Sequence, residues 1–175
     1  MAKIHILPES ITNKIAAGEV IVRPASCVKE LIENSIDAGA ENIEIKIEDA
    51  GKKLIEVKDD GSGMSEEDCK IAILRHATSK IKNLEDLYYI STLGFRGEAL
   101  AAISSISKLE IITKEENETL ATYLFIEGGK IKKIEKVAGN KGTIVRVKDI
   151  FFNTPARRKF LKSNYTEEIH IIEVV

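Results

Sequence analysis

The segment from Val28 to Ala38 constrains this chain most, because it can form one helix with two chemically opposed faces. At about 100° per residue, four aliphatic side chains fall on one stripe that a core would bury. They are Val28, Leu31, Ile32 and Ile36. Glu30, Asn34 and Asp37 fall on the opposite stripe, at spacings of four and three residues. The sequence therefore predicts an amphipathic helix that carries a carboxylate and a carboxamide one turn apart.

The polar face of this helix has two interpretations. It can be a solvated surface, as in most amphipathic helices. It can also be a site, in which Glu30 takes a proton from a water molecule. In such a site the amide oxygen of Asn34 would be one hard ligand of a Mg²⁺ ion that otherwise keeps water and phosphate oxygens. The helix alone does not decide between the two, so the motifs around it matter.

Length and charge exclude some classes of protein. The 175 residues fit one domain, and a net charge of −2 argues against DNA binding by the whole surface. Cys27 and Cys69 lack the spacing of a metal site and are expected to be buried, and the three histidines form no ligand cluster. Without a signal peptide or an 18-residue apolar run, the sequence predicts a soluble cytoplasmic protein that does not contact a membrane.

Apolar periodicity and turn residues predict alternating helices and strands. Helices are expected over residues 11–17, ending at Gly18, over 24–38, after a cap at Ser65, and over 98–105. Strands are expected over residues 42–48, 53–58, 108–113, 121–127, 130–137 and 143–147. The tail from Pro155 begins with a helical pattern and stops within an apolar run, which predicts a fragment of a longer protein.

Two glycine-containing motifs lie next to predicted helices. Asp59, Gly61 and Gly63 follow a strand, where a carboxylate can accept a hydrogen bond from an exocyclic amine such as that of adenine. The same pattern is typical of an ordinary turn. Gly94 to Leu100 places a glycine pair and Arg96 before a helix. Free N–H groups there can bind phosphate, although a glycine turn before a surface helix is the simpler interpretation.

The order of these motifs along the chain resembles that of the GHKL ATPases. The matching pieces are Glu30 with Asn34, residues 59–63, Thr78-Ser79-Lys80, residues 94–100 and Gly142-Thr143. Three stretches resemble one branch of that superfamily, the MutL family of DNA mismatch-repair proteins. They are residues 15–20, 94–100 and 151–161.

The resemblance implies a role for each matching residue. Glu30 would be the general base, Asn34 would hold Mg²⁺, and Asp59 would accept the adenine amino group. Gly61, Gly63 and Thr143 would line the base pocket of the same ATP site. The other matching residues would close over the phosphates as a lid. They are Thr78, Ser79, Lys80, Gly94, Phe95, Arg96, Gly97, Glu98, Ala99 and Leu100.

The resemblance also implies a fold and partners. The expected fold is an α+β two-layer sandwich, with helices on one face of a mixed, mostly antiparallel sheet, formed as one domain by residues 1–175. Expected partners in the longer protein are a second copy, bound through residues 1–20 when ATP binds, and a mismatch-recognition protein of the MutS type. DNA would bind weakly and without sequence specificity, and the protein would work in the bacterial cytoplasm, at the nucleoid during repair. ATP hydrolysis by this chain alone is expected to be weak, because the family completes its site with a lysine from a following subdomain.

Two alternatives remain open. The chain can be the ATPase part of a type II topoisomerase, another GHKL enzyme. It can also be a DNA-binding scaffold that acts without nucleotide, for which two basic runs would touch phosphate without reading sequence. These runs are Arg157, Arg158, Lys159 and Lys162, and Lys130, Lys132, Lys133 and Lys136.

Overall fold

The structure is a computed structural model that describes residues 4–77, 85 and 97–175. In this part of the chain, helices pack on a six-stranded sheet. The helices are α1 (Glu9–Val20), α2 (Pro24–Asp37), α3 (Glu66–Ala72), α4 (Ala99–Ser105), α5 (Pro155–Phe160) and α6 (Asn164–Val174). The strands are β1 (Ile43–Glu48), β2 (Leu54–Asp59), β3 (Lys108–Lys114), β4 (Ala121–Glu127), β5 (Lys130–Val137) and β6 (Gly142–Lys148).

The strand order in the sheet is β1-β2-β6-β3-β4-β5. Each of these neighbouring pairs is antiparallel, which confirms the predicted α+β fold with a mostly antiparallel sheet. The sheet was expected to be mixed, and here the prediction was wrong, since the described strands form no parallel pair. The reason is that β1–β2, β3–β4 and β4–β5 are joined by short connections, and β6 runs antiparallel to both β2 and β3.

One face of the sheet is apolar and the other is charged. Side chains that alternate along the four inner strands are buried against the helices, of which α2 contacts β2 while α3 and α4 contact β4. They are Ile55, Val57, Leu109, Ile111, Leu124, Ile126, Val145 and Val147. On the opposite face, Arg146 forms ion pairs with Glu56 and Glu110. This division explains why the helices lie on one face only.

Helix α2 is buried along a slightly different stripe from the predicted one. Val28 and Leu31 are buried as expected, but Ile36 is 48% exposed whereas Ser35 is 3% exposed. The Ser35 hydroxyl donates to the Asp59 carboxylate, so the buried stripe is rotated toward the polar side of the helix. Asn34 therefore lies beside the buried stripe and not opposite to it.

The predicted end of α1 at Gly18 was wrong. α1 continues through Gly18 to Val20, since Ile21 N–H still donates to the Ala17 carbonyl oxygen at 2.8 Å. The Arg157 guanidinium packs beside Gly18, where a Cβ would lie 2.0 Å from Nη2. The apolar run at the end of the chain belongs to a regular helix, α6. The predicted cap of α3 is confirmed, since Asp68 N–H donates to Ser65 Oγ at 3.1 Å. None of the helices among the described residues is long and apolar enough to cross a bilayer.

Candidate functional site

Asp59, at the end of β2, is held by three hydrogen bonds from three parts of the chain. Its Oδ1 accepts from the N–H of Gly61 at 3.0 Å and from the N–H of Thr143 at 3.2 Å. Its Oδ2 accepts from the hydroxyl of Ser35 at 2.8 Å. The carboxylate is half-buried. These contacts fix the orientation of Asp59 and connect α2, β2 and β6 at one point.

The turn that follows Asp59 requires glycine for steric reasons. Gly63 has φ +71°, and a Cβ there would lie 2.0 Å from the carbonyl oxygen of Lys114. A Cβ on Gly61 would lie 2.9 Å from the carbonyl oxygen of Ala38, just after α2. The turn is therefore pressed against both the end of α2 and the end of β3, which explains the two glycines that the sequence singled out.

A row of polar side chains crosses the sheet beside this turn. Asp59, Thr143, Thr113 and Thr122 are aligned in register on β2, β6, β3 and β4. The hydroxyls of Thr113 and Thr143 lie 2.9 Å apart, and Thr113 Oγ1 accepts from the N–H of Met64 at 2.9 Å. Because directly paired residues share a face of the sheet, the row forms a polar strip at the end of the apolar core.

Glu30 and Asn34 lie one turn apart on α2, and both are half-buried. The Asn34 carboxamide makes no hydrogen bond to another described residue, so its oxygen is available to a hard cation such as Mg²⁺. Glu30 lines a groove of about 310 Å³ together with Lys29, His170 and Glu173. Burial raises the pKa of the Cys27 thiol and the Glu30 carboxylate raises it further, which places negative charge beside the buried helix face.

The glycine-rich segment that was predicted to cover the phosphates is described only in part. Thr78, Ser79, Lys80, Gly94, Phe95 and Arg96 lie outside the described residues. Gly97 has φ +61°, and Glu98 precedes α4, whose first two residues are Ala99 and Leu100. The Glu98 carboxylate lies 3.3 Å from His76 Nδ1 and 3.8 Å from Arg75 Nη2, so it joins the end of the α3 region to the start of α4.

The structure brings together Asp59, Gly61, Gly63 and Thr143, and Asn34 directly precedes Ser35, which bonds to Asp59; all but Ser35 were predicted from sequence. It adds two residues that the sequence interpretation missed, Ser35 and Thr113. Ser35 follows Asn34 directly, and its role depends on a contact 24 positions away. Thr113 is paired with Thr143 in the sheet, a register that only the structure provides. Their roles are contacts between distant segments, which local patterns do not report.

The two basic runs differ from the expectation of free cationic surfaces. Arg157 is turned toward α1, where it donates to the carbonyl oxygen of Ile21 at 3.5 Å. Lys133 and Lys136 form ion pairs with neighbouring carboxylates. Arg158 and Lys159 are exposed and have no ion pair within the described residues. Exposed cations therefore remain on α5, and also at Lys130 and Lys132 of β5. Among the described residues, no cluster of three or more His, Cys, Asp or Glu side chains is arranged to hold a metal ion.

A helix with a carboxylate and a carboxamide, packed against a strand-end aspartate and its glycine turn, defines a known class of protein. Residues 22–148, more than half of the chain, match the family described as histidine kinase-, DNA gyrase B-, and HSP90-like ATPases. The chain belongs to this family, which is the GHKL superfamily that the motifs indicated.

Individual relatives narrow the class to one branch. The chain is 60% identical over its full length to the DNA mismatch repair protein MutL of Caldanaerobacter subterraneus and covers 30% of that protein. It is 57% identical over its full length to MutL of Koribacter versatilis and covers 27% of it. The chain thus spans less than a third of the length of these relatives. The predicted resemblance to MutL is confirmed.

A solved structure of a MutL ATPase domain has a similar fold. The Aquifex aeolicus MutL ATPase domain complexed with ADP superimposes with a TM-score of 0.68 at 37% identity, over 89% of this chain and 54% of that one. At 37% identity the two chains are similar in sequence as well as in fold. The relatives named here are mismatch-repair proteins, which favours that branch over the topoisomerase alternative.

Proposed function

We propose that this chain is the ATP-binding and ATP-hydrolysing part of a MutL-type mismatch-repair protein. The observation that carries the proposal is Asp59, a half-buried strand-end carboxylate oriented by Ser35, Gly61 and Thr143 in a chain of the ATPase family. An ionised carboxylate only accepts hydrogen bonds, and the amino group of adenine can donate one to it. The ADP named for the Aquifex aeolicus MutL domain supports the same ligand class here.

The phosphate end of the nucleotide would lie along α2. Asn34 supplies an uncommitted amide oxygen, and Glu30 supplies a carboxylate one turn away that can accept a proton from the attacking water. Mg²⁺, when bound, would neutralise phosphate charge, which phosphoryl transfer requires more than covalent catalysis. Thr78, Ser79, Lys80 and the residues from Gly94 to Leu100 remain proposed phosphate ligands.

Residues 1–20 are proposed to bind a second copy of the longer protein when ATP is present. Within the described part of this segment, Ile4 is 90% exposed and Ile6 is 97% exposed. Aliphatic side chains exposed to this extent on one segment are typical of an interaction surface. The proposed outcome of ATP binding is a conformational and dimerisation switch that connects a mismatch-recognition protein of the MutS type to later repair steps.

DNA binding is proposed to be weak and without sequence preference, and to involve α5. Arg158 and Lys159 are exposed on α5, and Lys162 is exposed just after it. Their charges would contact phosphates, so binding should weaken steeply with salt. If DNA bound in this way and nucleotide had no effect on the protein, the nucleotide-independent scaffold would be the better description.

Calorimetric titration with a non-hydrolysable ATP analogue and Mg²⁺ tests the nucleotide site. The wild-type chain should bind saturably, and Asp59→Asn should lose binding because one carboxylate oxygen becomes an amide donor. Asp60→Asn is the matched control, since this neighbouring carboxylate is exposed and bonds to Glu41 and Asn42 instead. Equal affinity in wild type and Asp59→Asn would remove Asp59 from the base pocket.

The general-base assignment is tested in the longer protein, where hydrolysis is expected to be complete. Glu30→Ala should retain ATP binding and lose turnover, whereas Glu33→Ala, on the same helix, should retain both. Loss of ATP binding in Glu30→Ala would contradict a purely chemical role for this carboxylate. Repeating the turnover assay without Mg²⁺ tests whether the metal is required.

A further inference from the structure

Strand β1 lies at one edge of the sheet. Among the described residues it is paired with β2 along one side, and its other side has no strand partner. The backbone N–H and C=O groups of that side are the ones that a further strand would use. Ile43, Ile45 and Ile47 pack against the core but are only half-buried. The β1 edge therefore combines unpaired backbone groups with aliphatic side chains that the protein covers incompletely.

Strand β5, at the opposite edge, is protected against pairing with another chain. Its register with β4 shifts between Phe125 and Ile126, so that Lys132 bulges out of the ladder. Bulges and lysines on an edge strand oppose association with another strand. The register of β1 with β2, in contrast, is unbroken from Ile43 to Glu48. Of the two edges of the described sheet, β1 is therefore the regular one.

The charged face of the sheet carries two rows of alternating sign that end at the β1 edge. The longer row follows the register across β3, β6, β2 and β1, and consists of Glu110, Arg146, Glu56 and Lys46. The shorter row consists of Lys58 on β2 and Glu44 on β1, whose charged atoms lie 3.3 Å apart. The edge thus presents one positive and one negative side chain, two residues apart and both exposed.

This edge is complementary to itself. When two β1 strands pair antiparallel about a two-fold axis through Ile45, Glu44 of each copy lies directly opposite Lys46 of the other. Both alternating rows then continue across the axis, and Ile43 lies opposite Ile47 on the helix side. Moving the axis by one residue would place Lys46 opposite Lys46, or Glu44 opposite Glu44, and like charges in these positions repel. The charges therefore select one register.

We propose that β1 is an interface at which two copies of this chain pair edge to edge and join their six-stranded sheets into one continuous antiparallel sheet. The contact is isologous, so each complementary charge pair occurs twice. It uses no residue of the proposed nucleotide site or of the N-terminal segment, and it needs no nucleotide. Because one pair of six-residue strands is small for a protein interface, the dimer should be weak and should form at high protein concentration.

Sedimentation equilibrium of the chain without nucleotide measures this dimer. The apparent mass of the wild type should rise with concentration toward that of a dimer. Lys46→Glu and Glu44→Lys each convert both complementary pairs into like-charge pairs, and each should weaken dimerisation about tenfold or more. Lys132→Glu, on the protected β5 edge, is the control and should keep the wild-type dimerisation constant. A wild type that stays monomeric, or a Lys46→Glu protein that dimerises like the wild type, would overturn the interface.

Mixing the two single variants tests the register. The Glu44→Lys chain is positive at both edge positions and the Lys46→Glu chain is negative at both, so an equimolar mixture should form heterodimers although each variant alone does not self-associate well. The double variant Glu44→Lys/Lys46→Glu restores complementary charges in reversed order and should dimerise within about threefold of wild type. Thermal unfolding of each variant distinguishes a lost interface from a lost fold. Absence of association in both the mixture and the double variant would overturn the proposed register.

Ile6→Ser separates this dimer from the ATP-dependent one proposed for the N-terminal segment. Ile6 lies outside β1, so this variant should keep the wild-type dimerisation constant in the absence of nucleotide. If Ile6→Ser abolished the association while Lys46→Glu retained it, the contact would belong to the N-terminal segment and the β1 interface would be overturned. Loss of nucleotide binding in an Asp59 variant would leave the β1 dimer unchanged.

Discussion

The proposed base pocket and the outer surface of this molecule are built on different principles. The pocket, formed by the turn after Asp59 and by Thr113 and Thr143, is fixed by backbone contacts and buried hydrogen bonds. The outer surface, formed by the N-terminal segment with α5 and α6, leaves large apolar side chains in solvent. These are Ile4, Ile6, Ile11, Phe160, Tyr165 and Ile172.

This difference indicates where the chain tolerates amino-acid substitutions. In the pocket, each atom position depends on neighbours from several strands, so a single added methyl group has no space. On the outer surface, side chains have few partners within the described residues, so a substitution there alters what the surface can bind more than whether the chain folds.

The largest effect is expected from Gly63→Ala. The variant would combine a left-handed backbone with a Cβ 2.0 Å from the Lys114 carbonyl oxygen, and should lose about 3–5 kcal/mol of unfolding free energy. Gly39→Ala is the control, because Gly39 has φ +72° but nothing within 4 Å of a Cβ, and it should lose only about 1 kcal/mol. Urea denaturation measures both. Equal losses would mean that the contact with β3 is not what demands glycine.

A smaller effect is expected from truncation on α2. Leu31→Ala should cost about 3 kcal/mol, since Leu31 is 2% exposed and its removal leaves a cavity against the sheet. Ile36→Ala should cost less than about 1 kcal/mol, because this side chain is half in solvent. Chemical denaturation of both variants distinguishes the observed buried stripe from the one predicted by periodicity, in which the two residues are equivalent.

Substitution of Asp60 is expected to change the stability of the protein only at acid pH. Hydrogen bonds from the side chain and backbone of Asn42, and from the backbone of Glu41, lower the pKa of Asp60 to about 2. Because the folded-state pKa is lower than the unfolded one, this stabilisation is present above about pH 4 and is lost as the pH falls toward 2. Between pH 5 and 2 the unfolding free energy of Asp60→Asn should therefore fall less than that of the wild type. The difference between the two proteins is the contribution from protonation of Asp60, which the variant lacks.

The measurement for Asp60 is the urea midpoint as a function of pH. Glu67→Gln is the control, since Glu67 is an exposed carboxylate with no hydrogen bond to another described residue, and it should follow the wild-type curve. If Asp60→Asn and wild type decline in parallel, the bonds to Asn42 and Glu41 do not stabilise the loop after α2.

The smallest effect on stability is expected on the outer surface. Ile6→Ser should change the unfolding free energy by less than about 0.5 kcal/mol, because the side chain is 97% exposed. In the longer protein the same change should weaken ATP-dependent dimerisation, measured by light scattering with a non-hydrolysable analogue. A large loss of stability, with dimerisation intact, would show that the N-terminal segment packs on its own chain.

Sequence patterns predicted most elements because they are local properties. The strands alternate at a period of two, the Gly128-Gly129 turn joins β4 to β5, and Ser65 caps α3 as expected. Burial of Cys27 and Cys69 was also predicted correctly. Gly18 shows the limit of this approach, because this glycine does not end α1 and instead makes room for the side chain of Arg157, which lies 139 positions further along the chain.

For the site, the sequence by itself determined which residue types are available. Glu30, Asn34, Asp59, Gly61, Gly63 and Thr143 were identified from motif order, and the last four of them lie around one turn in the structure. The tertiary structure sets which hydrogen-bonding atoms of these residues are already used within the protein. Hydrogen-bond capacity is shared between segments that only the folded chain brings together, so the contributions of Ser35 and Thr113 are set by packing and register and by no local pattern.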